Sequence, residues 1–249
     1  MWSDLPRPVI IAHRGDKNHA PENTVAAFSM AADKGTPAVE FDVKLTADGR
    51  VVVLHDVTLE RTTDGSGKLA RTAFEDLRKL DAGSWFAPQF KGERIPLLDE
   101  VFEAVGKRLH MNIELTNYTT PGDALVPCVV DLVKKHGMQD RIIFSSFFAR
   151  NLRAAKALLP EALRGLLAWS GWAGFPARSW GWKRDCFALH PYLTDTNIGM
   201  VQRLHAVGCQ VNVWTVNSAA DLKQMIGYEV DGIFTDDPQS ALRLIGRGP

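Results

Sequence analysis

The 249-residue chain has little that would announce a redox framework, a nucleic-acid partner or a membrane. Its three cysteines, Cys128, Cys186 and Cys209, are odd in number and far apart, which excludes a disulfide scaffold and a thiolate zinc site. Charge of one sign is missing as well. Lys and Arg number 29 against 29 Asp and Glu, so no bulk field draws the chain to nucleic acid or anionic lipid. No apolar run approaches the ~20 residues of a membrane-spanning helix. The start, M-W-S-D-L-P-R-P, has no basic segment followed by an apolar stretch, so the expected location is the cytoplasm. No G-x-G-x-x-G turn follows a strand, which removes the usual support for an open dinucleotide-binding sheet. No stretch rich in Pro, Gly or Ser divides the chain, and the sequence sets no oligomeric state. With 45% hydrophobic and 23% charged residues, residues 1–249 read as one ordinary globular domain.

What is present is concentrated between Val9 and Asp56. Three short apolar runs carry ionisable residues at or near their ends: V-I-I-A followed by His13-Arg14-Gly15, V-E-F-D-V with Glu40 and Asp42, and V-V-V-L followed by His55-Asp56. A strand core does not tolerate such residues without a reason, whereas an active site requires them. Asp48-Gly49 between two β-branched runs predicts a two-residue hairpin turn, because Gly accepts the positive φ the turn demands. That register opposes positions summing to 97, sets Asp42 across from His55, and puts Glu40 on the same face.

Strands at 9–12, 38–44, 111–115, 142–145, 163–168, 187–190, 211–216 and 232–235 alternate with helices for most of the chain. The helices are expected at 24–34, 98–107, 122–136, 149–159, 196–206, 219–226 and 239–245. Strand 51–55 is a ninth, the antiparallel arm of the hairpin. Eight such repeats in ~250 residues predict a (β/α)8 TIM barrel, whose catalytic residues sit at the C-terminal ends of the strands. Residues 57–98 break the alternation, with only a short helix expected at 74–80, and read as an insertion covering one side of the site. Residues 169–182 hold four tryptophans and a phenylalanine among glycines with no helical or strand period. They follow a barrel strand and are expected on the active-site rim.

The strand ends collect His13, Arg14, Glu40, Asp42, His55, Asn112, Glu114, Ser146, His190, Trp214, Asn217 and Asp236. Three carboxylates together (Glu40, Asp42, Glu114) repel unless one is protonated or a cation lies between them. An all-oxygen set suits one hard divalent ion, Mg²⁺ or Ca²⁺, rather than Zn²⁺. Two histidines beside a metal and an arginine fit proton removal and proton return on an anionic substrate, with Arg14 offering a fork of donors to phosphate. That chemistry is hydrolysis of a phosphodiester.

On H-R-G (13–15), P-E-N-T (21–24), E-F-D-V (40–43), T-A-D-G (46–49), H-D (55–56), N-I-E-L (112–115), S-S-F (145–147), V-W-T-V-N (213–217) and D-G-I-F-T-D-D-P (231–238), the chain resembles the glycerophosphodiester phosphodiesterases. The resemblance implies a barrel that cleaves small glycerophosphodiesters such as glycerophosphocholine to glycerol 3-phosphate and an alcohol. It implies His13 and His55 as the acid–base pair and Glu40, Asp42 and Glu114 as the metal ligands. Arg14, Trp214 and Asn112 are placed at the substrate. Where the family commonly carries a phosphate-contacting lysine, two residues after the third carboxylate, this chain has Thr116. Lys44, on the Glu40 and Asp42 face, could compensate. That departure and the tryptophan-rich segment open two alternatives, a lysophospholipase D or cyclising phospholipase acting on acylated substrates such as lysophospholipids, and a non-catalytic barrel that binds a phosphoryl ligand.

Overall fold

The computed structural model describes residues 2–181 and 186–248. Eight parallel strands close into a barrel: β1 (Val9–His13), β2 (Ala38–Leu45), β4 (His110–Leu115), β5 (Ile142–Ser146), β6 (Leu163–Leu167), β7 (Ala188–His190), β8 (Gln210–Val213) and β9 (Gly232–Thr235). Each pairs in parallel with its neighbours, and β1 closes the ring by pairing with both β2 and β9. The short β3 (Val51–Val53) runs antiparallel beside the C-terminal end of β2. The expected TIM barrel is therefore the fold.

Alternation along the strands explains how an apolar sheet carries charge. On β2, Val39, Phe41 and Val43 belong to the layer packed under the helices. Glu40 and Asp42 alternate with them and line the central pocket instead. The barrel's lower interior is filled by Val9, Ile11, Ala38, Ile143 and Phe234 together with Trp2. The Trp2 indole N–H donates to the Arg141 carbonyl at 2.9 Å, which fixes this N-terminal plug.

The helices follow their capping signals. Thr24 caps α1 (Val25–Asp33) by accepting from the Ala27 N–H, and Asp237 caps α9 (Pro238–Leu244) by accepting from the Ser240 N–H. In α3 (Leu98–Val105), Glu100 reaches back to the Leu97 N–H at 2.9 Å. The remaining long helices are α4 (Leu125–Lys135), α5 (Ala149–Leu158), α7 (Ile198–His205) and α8 (Ala219–Gly227). None of the described helices is long and apolar enough to cross a membrane.

Between β3 and α3 the chain builds a smaller apolar cluster from Val52, Leu54, Leu59, Leu69, Leu77, Ala82 and Ile95. Its one α-helix is α2 (Phe74–Leu77), shorter than the expected 74–80 because four residues suffice to bury Leu77. Residues 171–174 form a 3₁₀ turn that leads into α6 (Phe175–Ser179), where no helical period was visible. Pro176 in the first turn starts the helix, and five residues are too few to show a period. Trp182, the last tryptophan of that segment, lies outside the described residues. Strand β8 ends at Val213 rather than 216; beyond it only an isolated parallel bridge from Trp214 to Tyr192 continues the β7 register.

The hairpin register also differs from expectation. Val43 opposes Val53 and Leu45 opposes Val51, so opposed positions sum to 96. The Thr46 N–H bonds the Arg50 carbonyl, which leaves three residues, Ala47-Asp48-Gly49, in the loop. Gly49 takes φ +76°, the left-handed position of a three-residue hairpin. Thr46 Oγ1 fixes the loop by donating to Asp48 and accepting from the Arg50 N–H. Leu54, not His55, therefore sits across from Asp42, its N–H donating to the Asp42 carbonyl at 3.0 Å. His55 lies beyond the end of β3 and reaches the pocket because the chain leaves the ladder after that rung.

Candidate active site

A cavity of about 550 Å³ opens at the C-terminal end of the barrel. The residues given a catalytic, metal-binding or substrate role line it, namely His13, Arg14, Glu40, Asp42, His55, Asn112, Glu114 and Trp214, whereas Ser146, Asn217 and Asp236, also collected at the strand ends, do not. His190, which the sequence also set at a strand end, does not. It is fully buried in the barrel interior, where the Asn212 amide bonds its Nε2 at 3.1 Å. Space for its ring comes from Gly165, where any Cβ would stand 2.3 Å from Nε2.

The cavity has two unlike walls. On one, Glu40 and Asp42 from β2 and Glu114 from β4 converge. Each offers a ligand oxygen, and these atoms lie within 4.8 Å of one another. The strand register sets this up, since β2 and β4 align Asp42 with Glu114. Glu40 is 3% exposed, and burial, with Asp42 and Glu114 beside it, pushes its carboxyl well above the ordinary value. Burial and Asp42 push Glu114 up to about 8, against the Tyr118 hydroxyl that donates to it at 2.8 Å. Burial also opposes the Asp42 charge, but Arg14 beside it, with His55, Lys44 and an Asn23 hydrogen bond, holds that carboxyl below its usual range. Three carboxyls that cannot all stay ionised as they stand, with oxygen as their only donor, fit a hard divalent cation.

The loop after β1 supplies Arg14. It adopts φ +59°, its backbone N–H donates to the Glu40 carboxylate at 3.1 Å, and its guanidinium bonds Glu22 at 2.9 Å and lies 3.5 Å from Asp42. Gly15 permits that loop, because a Cβ there would come within 2.6 Å of the Ala27 side chain and its φ is +89°.

Each histidine is backed by an aspartate. His13 Nδ1 lies 2.6 Å from Asp236, and its Nε2 stands 4.0 Å from Glu40. Burial lowers the His13 pKa, more than the Asp236 hydrogen bond raises it. Burial works against the Asp236 charge too, yet bonds to His13 and Lys17 hold it at about 2. His55 Nδ1 lies 2.6 Å from Asp56. Asp56 is held far below its usual value, first by Arg61, whose guanidinium grips both of its oxygens and both oxygens of Glu22. Glu22 in turn holds Arg14. One side chain from the segment after β3 thus ties His55 to Arg14.

Trp214 donates its indole N–H to the His190 carbonyl and packs edge-on against Phe147 and Tyr192. With Phe147, Leu167, Trp169 and Phe234 it makes the second, apolar wall, in which Phe147 and Trp169 stack at 3.7 Å. Asn112 lies deep in the cavity, 1% exposed, donating to Ser145 Oγ at 2.7 Å.

Sequence reasoning assigned no role to Asp56, Asp236, Arg61 or Tyr118. Asp56 and Asp236 stood inside recognised motifs, so a search for a carboxylate partner to each histidine would have found them. Arg61 and Tyr118 gave no signal, because both stand in loops outside any periodic element, and the other partners they bridge to, Glu22 and the Phe147 N–H, are far away in sequence.

A sequence profile described as the glycerophosphoryl diester phosphodiesterase family matches residues 13–240. A glycerophosphodiester phosphodiesterase from Caldanaerobacter subterraneus subsp. tengcongensis is 37% identical over 245 residues, covering 97% of this chain and 99% of that one. One from Bacillus altitudinis is 34% identical, covering 94% and 97%. Among solved structures, an Oleispira antarctica phosphodiesterase in complex with the product sn-glycerol-3-phosphate superposes with a TM-score of 0.89 at 34% identity, covering 98% of both chains.

Proposed function

We propose, from the premise that this chain belongs to the glycerophosphoryl diester phosphodiesterase family, that it hydrolyses glycerophosphodiesters such as glycerophosphocholine with one divalent cation and a His13/His55 pair. As a family member it is a phosphoric diester hydrolase acting on glycerophosphodiesters. The finer reading rests on one observation, the convergence of Glu40, Asp42 and Glu114 within 4.8 Å beside two aspartate-backed histidines.

Glu40, Asp42 and Glu114 would hold Mg²⁺ or Ca²⁺, which when bound polarises a phosphoryl oxygen and offsets developing charge. Arg14 orients the phosphate, and Asn112 and Trp214 contact the rest of the substrate. With its Nδ1 proton committed to Asp236, His13 presents Nε2 as a base, and its lowered pKa leaves that nitrogen free to accept a proton at neutral pH. It takes the proton of the attacking water. His55, oriented in the same way by Asp56, returns a proton to the departing alkoxide. The P–O bond to the alcohol breaks, a P–O bond to water forms, and glycerol 3-phosphate and the free alcohol leave. We treat residues 1–249 as one catalytic domain with 57–98 as an insertion on the His55 side, and place it in the cytoplasm.

The test is release of glycerol 3-phosphate from glycerophosphocholine by purified protein, with chelator and with Mg²⁺ or Ca²⁺ restored. Metal-dependent release is expected. Release unaffected by chelator removes the cation from the reading, and binding without turnover favours the phosphoryl-binding barrel.

A second reading, turnover of lysophospholipids, is favoured by the rim. Beyond Trp169 the segment exposes Trp172, at 88%, together with Phe175 and Trp180, which pack edge to face. Such a surface suits an acyl chain leading into the apolar wall. Undetectable turnover of lysophosphatidylcholine beside good turnover of glycerophosphocholine removes it. A cyclic phosphate product would mark attack by an internal hydroxyl.

A further inference from the structure

We propose that Lys44 is a catalytic residue that binds the phosphoryl group being cleaved, as a second cation beside Arg14. This rests on the reading of the cavity as a phosphodiester site. Lys44 lies two residues beyond Asp42 on β2, on the same face of the strand, and lines the cavity. Two residues of strand span about 6.6 Å, so Lys44 stands one layer nearer the mouth than the carboxylates.

Its ammonium is held in place from the neighbouring strand. Val43 opposes Leu115, so the next rung brings Lys44 beside Thr116. The Lys44 ammonium donates to Thr116 Oγ1 at 2.6 Å, and the Thr116 hydroxyl donates in turn to the Val43 carbonyl at 2.7 Å. Thr116 thus presents a lone pair to Lys44 and fixes its direction, while contributing no charge.

Among the described residues, three other basic side chains near the cavity are ion-paired. Arg14 pairs with Glu22 and Asp42, Arg61 with Glu22 and Asp56, and Lys17 with Asp236. Among the described residues Lys44 forms no ion pair within 4 Å, although Asp42, Glu114 and Asp56 act on it electrostatically. Half-buried and facing the cavity, the ammonium has N–H groups beyond the one given to Thr116 with which to meet an anion that enters. An anion seated over the carboxylate layer reaches both the Arg14 side and Lys44. A phosphoryl group has the oxygens to accept from both at once, and charge developing on them in the reaction strengthens both contacts.

The experiment compares wild type with Lys44→Met in two measurements. The first is turnover of glycerophosphocholine, where kcat/KM should fall about 100-fold or more, as for loss of one charge-stabilising donor. The second is calorimetric binding of sn-glycerol 3-phosphate and of inorganic phosphate, both of which should weaken at least about tenfold, which shows that the contact is to phosphoryl and not to glycerol. The binding measurement reads Lys44 whether or not the protein turns the diester over, so failure of the enzymatic reading and failure of this proposal stay separate. Retention of both properties within about threefold overturns the proposal, as does loss of turnover with unchanged phosphate affinity, which would mean that Lys44 only shapes the pocket. Should Lys44→Met fail to fold, Lys44→Gln keeps a hydrogen bond to Thr116 without the charge and carries the same two readings.

Discussion

The two histidine–aspartate pairs have the same 2.6 Å bond and opposite surroundings. His13 is 16% exposed, and its aspartate, 223 residues away in sequence, comes from the residue just past β9, the strand paired with β1. His55 is 42% exposed and its aspartate is the next residue. Adjacent residues on a loop cannot fix one another, so the second pair borrows rigidity from Arg61, which clamps Asp56 and Glu22 together. The same constellation is thus built once by sheet closure and once by an ion-pair clamp. The first pair is braced by several contacts, since Asn217 and Lys17 also hold Asp236, whereas the second depends on the Arg61 side chain.

The largest expected effects abolish either pair. His13→Ala and His55→Ala should each lower kcat for glycerophosphocholine by about 1000-fold, within the range for general acid–base groups. Near-normal turnover in either variant would remove that histidine from the mechanism. Glu114→Gln should raise the cation concentration for half-maximal activity by about tenfold or more. An unchanged titration would remove Glu114 as a ligand.

The comparison sharpens with the backing groups. Asp236→Asn should cost roughly 100-fold in kcat by upsetting the His13 tautomer, since an amide can donate where the carboxylate accepts. Arg61→Ala leaves Asp56 in place but unclamped, and should cost only about tenfold, appearing in both kcat and KM because Glu22 also loses hold of Arg14. If Arg61→Ala matched His55→Ala in severity, the clamp would be doing more than positioning.

The smallest effect concerns a third histidine that has no carboxylate partner. Burial alone drives the His190 pKa to about 3. The unfolded chain takes up a proton at this residue below about pH 6.5, and the folded chain does so only near 3. His190 therefore causes stability to be lost as pH falls from 6.5 towards 3. Urea denaturation across that window should show a shallower pH slope for His190→Gln than for wild type, and equal slopes would contradict the assignment.

The sequence made some of this plain and hid the rest for physical reasons. β2 was legible because a charge inside V-E-F-D-V is explained only by a polar interior, and period-2 alternation then puts Glu40 and Asp42 on one side. His55 was assigned to the pocket by a register that the hairpin does not have. It arrives there because the chain departs from the ladder, a property of the loop at Ala47–Gly49 and of the packing beneath the segment after β3. The exposed aromatics before Trp182 were visible as composition, yet the turn and short helix they adopt depend on packing that no period records.

By itself, then, the sequence determined the strand–helix alternation, the eight-stranded barrel and the residue types at the strand ends. Those follow from local periodicity and from the cost of burying charge. Only the tertiary structure decided which groups meet. The contacts of His13 with Asp236, Arg61 with Glu22, and Lys44 with Thr116 join residues far apart in sequence, because barrel closure sets β1 beside β9, β2 lies beside β4, and the loops at the strand ends meet.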